Sequence, residues 1–306
     1  MQAETISRTL FENGRLLLGE FWCLPQSERW QSLNSVSAEP HVIFPRTAVT
    51  IRQLGRDPAI CDRNQIVFYN PGQRFFRSLR TRSGDHCYFV ELSRELMRRL
   101  ADGATHFPFA SGPSESSVFL LQRLATRHVK ETDADAALVE EALTTACERA
   151  IEDAWRAHSR LADQREGTRA ANREIVDQTR QLLVARYRER LTMAEVASAL
   201  GVSRFQLSRV FRSYTGFSLL EYRNHLRLRA AFDRLTDPDL RLASLAEELG
   251  FSNHSHLTES FRVAFGFLPS ELRGPIGRET LGAALAWSST TTDVRVSAGG
   301  EARSPL

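Results

Sequence analysis

The sequence of 306 residues has almost no lysine, few cysteines and no long apolar run. The four cysteines (Cys23, Cys61, Cys87 and Cys147) form no CxxC pair and no metal-ligand spacing, which excludes a disulfide framework and a zinc module. No run of about 18 apolar residues occurs, so we expect no membrane span. The first 15 residues lack a basic region followed by an apolar one, so we expect no secretory signal. Together these absences predict a cytoplasmic protein with reduced thiols.

Arginine takes the place of lysine, since Lys130 is the only lysine among 40 basic residues. A genome rich in GC explains much of this bias, but arginine is also the side chain best shaped for phosphate and guanine. The segment 168–273 holds 16 arginines against 12 acidic residues, a net charge of +4, whereas the rest of the chain is at −1. Solvated helix faces could account for this excess, and a surface for nucleic acid is the alternative.

The first 100 or so residues have the pattern of short strands separated by turns. Residues 41–54, 65–70, 75–80 and 85–92 are rich in β-branched and aromatic side chains, with Pro71-Gly72 and Ser83-Gly84 between them. Short strands at a spacing of about ten residues predict an all-β barrel or jelly roll.

After residue 93 the apolar spacing becomes helical. Val139, Leu143, Cys147, Ile151 and Trp155 lie on one face of a helix predicted over about 135–161. This stripe must be buried against the β domain, in the seam of a homodimer, or in both if the two share it, and Leu143→Glu would test the seam. The polar residues 162–172 that follow predict a linker.

The stretch "LGVSRFQLSRVF" (200–211) carries the signals of two short helices joined by a tight turn. Thr192 and Glu195 form a predicted capping box, and Gly201 supplies a left-handed residue at the turn. Ser203 is the predicted cap of the second helix, with Gln206 as its partner. The pattern predicts a helix-turn-helix whose second helix keeps an outward polar face.

Nearly the same pattern returns in "LGFSNHSHLTESF" (249–261), with Gly250 at the turn and Ser252 as the candidate cap. A connecting helix is predicted from about 219 to 235, roughly 25 Å long at 1.5 Å per residue. Major-groove entries on one DNA face lie about 34 Å apart, so the two units could reach both. Four arginines line this connector as candidate phosphate contacts or as internal ion-pair partners: Arg223, Arg227, Arg229 and Arg234. A helical protein-interaction module is the competing interpretation.

The two copies resemble the AraC/XylS family of bacterial transcription regulators over about 191–273, including "GFS" at 250–252, "FG" at 265–266 and "PSE" at 269–271. The resemblance implies a seven-helix domain with reading helices in adjacent major grooves of double-stranded DNA. The DNA-binding residues implied or predicted are Ser203, Arg204, Phe205, Gln206, Ser208, Arg209, Arg212, Arg227, Asn253, His254, Ser255, Thr258, Glu259 and Arg262. Base contacts fall on Phe205, Gln206, Ser208, Arg209, His254, Ser255, Thr258 and Glu259. Glu259 and an uncapped Arg241 predict weaker binding by the second copy.

The N-terminal half resembles, more weakly, the cupin-like sensor domain of such regulators. The predicted fold is therefore α+β: a cupin-like barrel with flanking helices (1–165), an all-α DNA-binding domain (166–276, with helix-turn-helix units at 191–213 and 241–265) and a disordered tail (277–306). Candidate residues for a small-molecule effector are Arg46, Tyr69, Gln73, Arg74 and His86. A homodimer is expected, and RNA polymerase would be a partner of an activator.

An enzyme is the alternative that the cupin resemblance brings with it. Metal-dependent cupins cluster several histidines with a carboxylate, whereas His41 and His86 form no HxH pair with a following glutamate. No P-loop, GxGxxG or Ser-His-Asp arrangement is visible. We therefore expect no metal, no cofactor and no catalytic residue.

Overall fold

The computed structural model describes residues 5–162 and 166–297, which form two β-sheets and a set of α-helices. The strands are β1 Thr5–Glu12, β2 Leu16–Cys23, β3 Asn34–Ser35, β4 His41–Pro45, β5 Val49–Gln53, β6 Ala59–Cys61, β7 Gln65–Tyr69, β8 Arg74–Leu79, β9 Asp85–Leu92 and β10 Ser111–Pro113. The helices are α1 Arg94–Leu100, α2 Ser116–Glu131, α3 Ala136–Ala162, α4 Glu166–Arg186, α5 Met193–Ala199, α6 Arg204–Thr215, α7 Leu219–Arg234, α8 Leu242–Glu248, α9 His254–Phe265 and α10 Arg278–Ser297. The mixed class and the helical C-terminal half are confirmed.

The N-terminal half is a sandwich of two antiparallel sheets. One sheet has the order β1-β2-β9-β4-β7-β10, and the other has the order β3-β8-β5-β6. Val67 and Tyr69 of the larger sheet pack with Ile51 and Phe75 of the smaller one. Strand β7 is buried along its whole length, because helices α2 and α3 cover the other face of its sheet. This explains why its sequence, "QIVFY", does not alternate as a half-exposed strand would.

Gly19 in β2 shows why one strand position excludes a side chain. It lies opposite Phe89 in the register of β2 and β9. A Cβ atom at Gly19 would overlap the Phe89 ring, so glycine lets the ring lie flat across the neighbouring strand.

The apolar stripe of α3 is buried within the chain itself. Val139, Leu143 and Cys147 are fully buried, and Ile151 is 1% exposed. They belong to a core formed with α2 and the larger sheet. Only Trp155 is substantially exposed, at 37%. The predicted dimer seam along this stripe is therefore wrong, and packing on the β domain is correct, because the stripe has no surface left for a second copy.

Two segments predicted to lack structure are helical. Residues 166–172 of the predicted linker form the first turns of α4. Of the predicted tail, residues 278–297 form α10, which packs on α2 with Leu281 and Ala284 fully buried. The low overall hydrophobicity of the tail hid the short apolar stretch "LGAALAW" (281–287), which suffices for one buried helix face. Residues 298–306 lie outside the described residues.

The buried apolar side chains form three clusters: the interior of the sandwich described above, a main core and a small core. The main core joins the larger sheet and α1–α3 with α10, the second half of α7 and helices α8 and α9. The small core consists of side chains from α4, α5, α6 and the start of α7. No helix within residues 5–162 and 166–297 combines the length and apolar character needed to cross a membrane.

Candidate nucleic-acid interface

Helices α5 and α6 form the first helix-turn-helix unit, and their caps follow the sequence prediction. The Thr192 side chain accepts a bond from the Glu195 backbone N–H, and the Glu195 carboxylate accepts one from the Thr192 N–H at 2.7 Å. Gly201 has φ +67°, a left-handed conformation that glycine adopts without strain. Ser203 accepts a bond from the Gln206 N–H at 3.1 Å. The Gln206 side chain is exposed and does not form the predicted return hydrogen bond to the backbone N–H of Ser203, the cap of α6.

One face of α6 is buried and the opposite face is exposed. Leu207, Val210 and Phe211 pack into the small core. The residues predicted to meet DNA lie outside: Ser203, Arg204, Phe205, Gln206, Arg209 and Arg212 are exposed, and Ser208 is half-buried. The Phe205 side chain is 78% exposed, so its ring contributes little hydrophobic stabilisation to the fold of the isolated protein. Glu195 and Glu221, which could have held Arg209, serve instead as the capping partners of Thr192 and Ser218.

Helices α8 and α9 form the second unit, with Gly250 at φ +78° in its turn. Asn253, and not Ser252, caps α9: its side chain accepts a bond from the His256 N–H at 2.8 Å. Ser252 is instead hydrogen-bonded to the His256 ring at 2.9 Å. The turn of the second unit is one residue longer than that of the first: the cap lies three positions after Gly250 but only two positions after Gly201. Arg241 precedes α8 without a side-chain cap, as predicted.

The outward face of α9 is exposed but partly neutralised by its own residues. Asn253, His254, Ser255, Glu259 and Arg262 are exposed, and Thr258 is half-buried. Glu259 and Arg262 form an ion pair at 2.7 Å, and the hydrogen bond from Arg262 lowers the pKa of Glu259. An anion approaching α9 therefore meets a paired arginine, whereas α6 presents Arg209 and Arg212 without a carboxylate between them on its surface.

Helix α7 connects the two units, within a residue of its predicted end. Its arginines do not form a row of phosphate contacts. Arg223 donates to the Leu191 carbonyl, and Arg234 forms an exposed pair with Glu248 at 3.2 Å. Arg229 is fully buried, with bonds to the carbonyls of Arg63 and Ser114 in the β-sandwich. Of the four, only Arg234 is exposed.

The buried position of Arg227 contradicts its predicted role as a phosphate contact. It is 4% exposed and donates to the carbonyls of Tyr187, Glu189 and Gly250 at 2.6–2.8 Å. Burial, aided by the charge of Arg223, lowers its pKa to about 10. A Cβ atom at Gly250 would meet the Arg227 guanidinium and the Arg188 carbonyl. Arg227 therefore fastens the end of α4 to the turn of the second unit.

A buried polar network docks α7 on the β-sandwich, and sequence reasoning did not find it. The Tyr222 hydroxyl donates to the Asp62 carboxylate at 2.8 Å, and the Asn64 amide donates to the Tyr222 carbonyl at 2.8 Å. At the penultimate position of the helix, Asp233 pairs with three arginines of the other half: Arg46 at 2.8 Å, Arg123 at 3.2 Å and Arg63 at 3.5 Å. Partners 110 or more residues apart in the sequence leave no local pattern from which such a network can be predicted.

A family model described as a helix-turn-helix domain matches residues 196–274. The Msm operon regulatory protein of Streptococcus mutans is 28% identical over 111 residues, 36% of this chain and 40% of that protein. A putative AraC-like transcription regulator of Streptomyces antibioticus is 33% identical over 82 residues, 27% of each chain. A solved AraC-type regulator from Chromobacterium violaceum is 30% identical; the match covers 34% of this chain and 93% of that one, with a TM-score of 0.32.

Residues 196–274 of this chain are therefore similar to the helix-turn-helix domain of AraC-type regulators. The match spans 40% or less of the length of these two curated relatives. The matched residues contain α6 to α9, the two exposed faces included, and stop before α10. The β-sandwich and α10 therefore lie outside the matched domain, although they share a core with it.

The five effector candidates do not line one pocket. Arg46 and His86 lie near each other, because Arg46 donates to the Tyr88 hydroxyl at 3.2 Å and the His86 ring lies 5.5 Å from the Tyr88 ring. Tyr69 is buried against Phe75. Gln73 lies in the turn between β7 and β8, and the exposed Arg74 is the first residue of β8.

Arg46 lines two separate cavities. The one that it shares with Arg123 and Asp233 has about 10 Å³, enough for one water molecule. The other has about 230 Å³, and none of the other four effector candidates lines it. Burial and the charge of Arg46 lower the pKa of His86 to about 4, although His86 contacts Glu20 at 3.1 Å. Arg46 and His86 thus have partners within the protein already.

The end of α3 lies beside the exposed face of α6. Arg160 lines a surface cavity of about 420 Å³ together with Phe205, Ser208, Arg209 and Arg212 of α6. A helix of the N-terminal half thus lies next to the residues predicted to contact DNA in the first unit.

Proposed function

We propose that this chain is a sequence-specific transcription regulator that inserts α6 and α9 into adjacent major grooves of double-stranded DNA. The observation that carries the proposal is the exposed face of α6, where Phe205 and Arg209 project from a helix capped and buried as a helix-turn-helix requires. An exposed aromatic ring suits a thymine methyl group, and an arginine fork suits guanine. Helix α7, at 16 residues and about 24 Å, supplies the separation between the units.

The same proposal assigns effector sensing to the β-sandwich, as a cupin-like domain would provide. A cytoplasmic homodimer that contacts RNA polymerase as an activator belongs to the proposal as well. Such a dimer must use a surface other than the α3 stripe, which is buried. A metal-dependent enzyme is disfavoured, because the two imidazoles lie apart and each is held by its own carboxylate: His41 by Glu91 at 3.2 Å and His86 by Glu20 at 3.1 Å.

The test uses the full chain and a pool of random duplexes, from which bound sequences are selected and their affinity is measured across a salt series. We expect one enriched motif and an affinity that falls steeply with salt, since each neutralised phosphate releases counterions. Arg209→Ala with Arg212→Ala should lower affinity and reduce the salt slope. Arg94→Ala, an exposed arginine of α1, is the matched control. Retention of a protein partner without any enriched duplex would support the interaction-module alternative instead.

A further inference from the structure

A large cleft separates the β-sandwich from helix α4, and none of the effector candidates considered above lines it. Its volume is about 640 Å³, within the range of sites that hold drug-sized molecules. It is lined by the β5–β6 turn, the segment 108–113, the last turns of α3, the first turns of α4, and Tyr214 of α6. The cleft thus touches both halves of the chain.

Arg180 of α4 is the most deeply buried charge that lines the cleft. It is 7% exposed, and its Nε has no hydrogen-bond partner among the described residues. Its ion pair with Asp177 is long, at 3.5 Å. The other nearby carboxylate, Asp62, already accepts bonds from Tyr222 and from the Asn64 N–H at 2.8 Å each. A buried guanidinium with an unmatched donor is costly unless a further acceptor reaches it.

Other basic side chains give the cleft a positive character. Arg169 lines it and also has a buried Nε without a partner in the described part of the chain. Arg173 is paired with the exposed Asp57, and Arg56 donates to the Phe107 carbonyl. Burial lowers the pKa of His158, and the charges of Arg169 and Arg56 lower it further, so both arginines act on the same space.

The remaining lining of the cleft is mixed, with apolar residues beside the polar Gln65, Ser111 and Tyr214. Phe109 contributes an aromatic face, with its ring 5.5 Å from that of Trp155 and 6.1 Å from that of His158. Pro113, Leu161 and other small apolar residues complete the lining. A molecule that fits must therefore combine an anionic group for the arginines with an apolar body for these walls.

We propose that this cleft binds an organic carboxylate with an aromatic or aliphatic body, held through Arg169 and Arg180. The site differs from the Arg46–His86 cluster, because neither of those two residues lines this cleft. Its occupant would touch the elements that hold the first unit: the Tyr214 hydroxyl of α6 donates to the Arg169 carbonyl at 3.1 Å. His158 and Leu161 line the cleft, while Arg160 between them lines the cavity at the DNA-facing side of α6. Resting on the proposed function, the carboxylate therefore changes the DNA affinity of the first unit.

Binding is tested on the full chain without DNA, by calorimetry and tryptophan fluorescence. The probes are 2-naphthoate, phenylacetate and decanoate, and the controls are the corresponding neutral alcohols and inorganic phosphate. We expect at least one carboxylate to bind while its alcohol and phosphate do not. Arg169→Gln should weaken that binding at least about tenfold, the loss of one charge-assisted contact. Arg186→Gln, at the exposed far end of α4, should leave it unchanged.

Arg180→Gln should have the same effect as Arg169→Gln, and the half-buried Arg169 decides the matter if the Arg180 variant does not fold. The proposal is overturned if no carboxylate binds at millimolar concentration, if the alcohols bind equally well, or if Arg169→Gln and Arg186→Gln behave alike.

Coupling is measured separately, as the affinity of the full chain for its selected duplex with and without the bound probe. We expect a change of at least about threefold in the wild type and none in Arg169→Gln. A probe that binds without changing DNA affinity overturns the regulatory part. A probe that binds to a chain retaining no duplex contradicts the proposed function and leaves the site standing. A selected duplex without any bound carboxylate contradicts this inference alone.

Discussion

The two helix-turn-helix units share a sequence pattern but differ in what holds them. The first unit, α5 and α6, packs with α4 and the start of α7 in the small core. The second unit, α8 and α9, is continuous with the main core: Phe265 stacks on Phe119 of α2 at 5.6 Å, and Phe232 of α7 meets the same ring at 5.5 Å. The second copy therefore shares an apolar core with the N-terminal half, whereas the small core of the first copy meets that half through polar contacts such as Tyr222 to Asp62.

Phe119 offers the strongest way to break this comparison. Phe119→Ala removes a buried ring and should lower the free energy of unfolding by about 3–5 kcal/mol. Hydrogen exchange should accelerate in α2, in α9 and in the larger sheet together. The matched change in the small core, Phe211→Ala, should cost a similar amount but accelerate exchange in α4 to α6 only. Equal spreading of the effect in both variants would show that the chain has one core and not two.

Arg227 links the two units, so its removal should separate them. Arg227→Ala leaves three buried carbonyls without a donor, and we expect a loss of about 3 kcal/mol in unfolding free energy. Arg234→Ala, about two turns further along the same helix, breaks only an exposed ion pair and should lower the unfolding free energy by about 0–1 kcal/mol. Urea denaturation measures both. If the Arg227 variant is as stable as the Arg234 variant and loses only DNA affinity, then Arg227 contacts phosphate after all.

Acid should weaken the main core before the small one. The pKa of His86 is lowered to about 4 in the folded chain. Between pH 6.5 and pH 4, the His86 side chain is therefore protonated in the unfolded chain and neutral in the folded chain. Stability is thus fully present above pH 6.5 and is lost as pH falls, by about 2 kcal/mol from pH 7 to pH 5. Burial lowers the pKa of His41 in the same direction. His86→Gln should remove most of this slope, and exchange at pH 5 should rise in the sandwich and α9. An unchanged slope in that variant would refute the assignment.

The smallest expected effects are those of single substitutions on DNA binding. Arg209→Ala should weaken binding to the selected duplex about ten- to hundredfold and relax one base pair, because a bidentate contact to guanine is lost. The melting temperature should stay the same, since Arg209 is exposed. Equal loss on every duplex would make Arg209 a phosphate contact.

Glu259→Gln is the corresponding change in the second unit. It releases Arg262 from its ion pair, so we expect a salt slope steeper by about one unit and a modest gain in affinity. A loss of affinity confined to one base pair would instead mark Glu259 as an acceptor for cytosine.

Local signals in the sequence predicted local structure well. Thr192, Ser203 and the two turn glycines sit where capping and left-handed geometry require, and the ends of α3 and α7 fall within a residue or two of their predicted positions. What failed was contact over long distances. The fates of Arg227 and Arg229 depend on carbonyls 23 to 166 residues away, and whether the α3 stripe faces a partner or a sheet depends on where the sheet lies. Periodicity identifies a buried face without naming what covers it.

Helix α10 determines which fragments of the chain keep α9 covered. Trp287 lies where a Cβ atom of Gly266 would be, directly behind the end of α9, and α10 also lies along α2. A fragment cut to the matched residues 196–274 would lose both α2 and α10, and with them the cover over Phe261 and Phe265. Uncovered aromatic surface of this kind promotes association between molecules. A fragment that keeps the core of the first unit therefore has to contain α4 and the start of α7, while the second unit has to be produced together with the N-terminal half and α10.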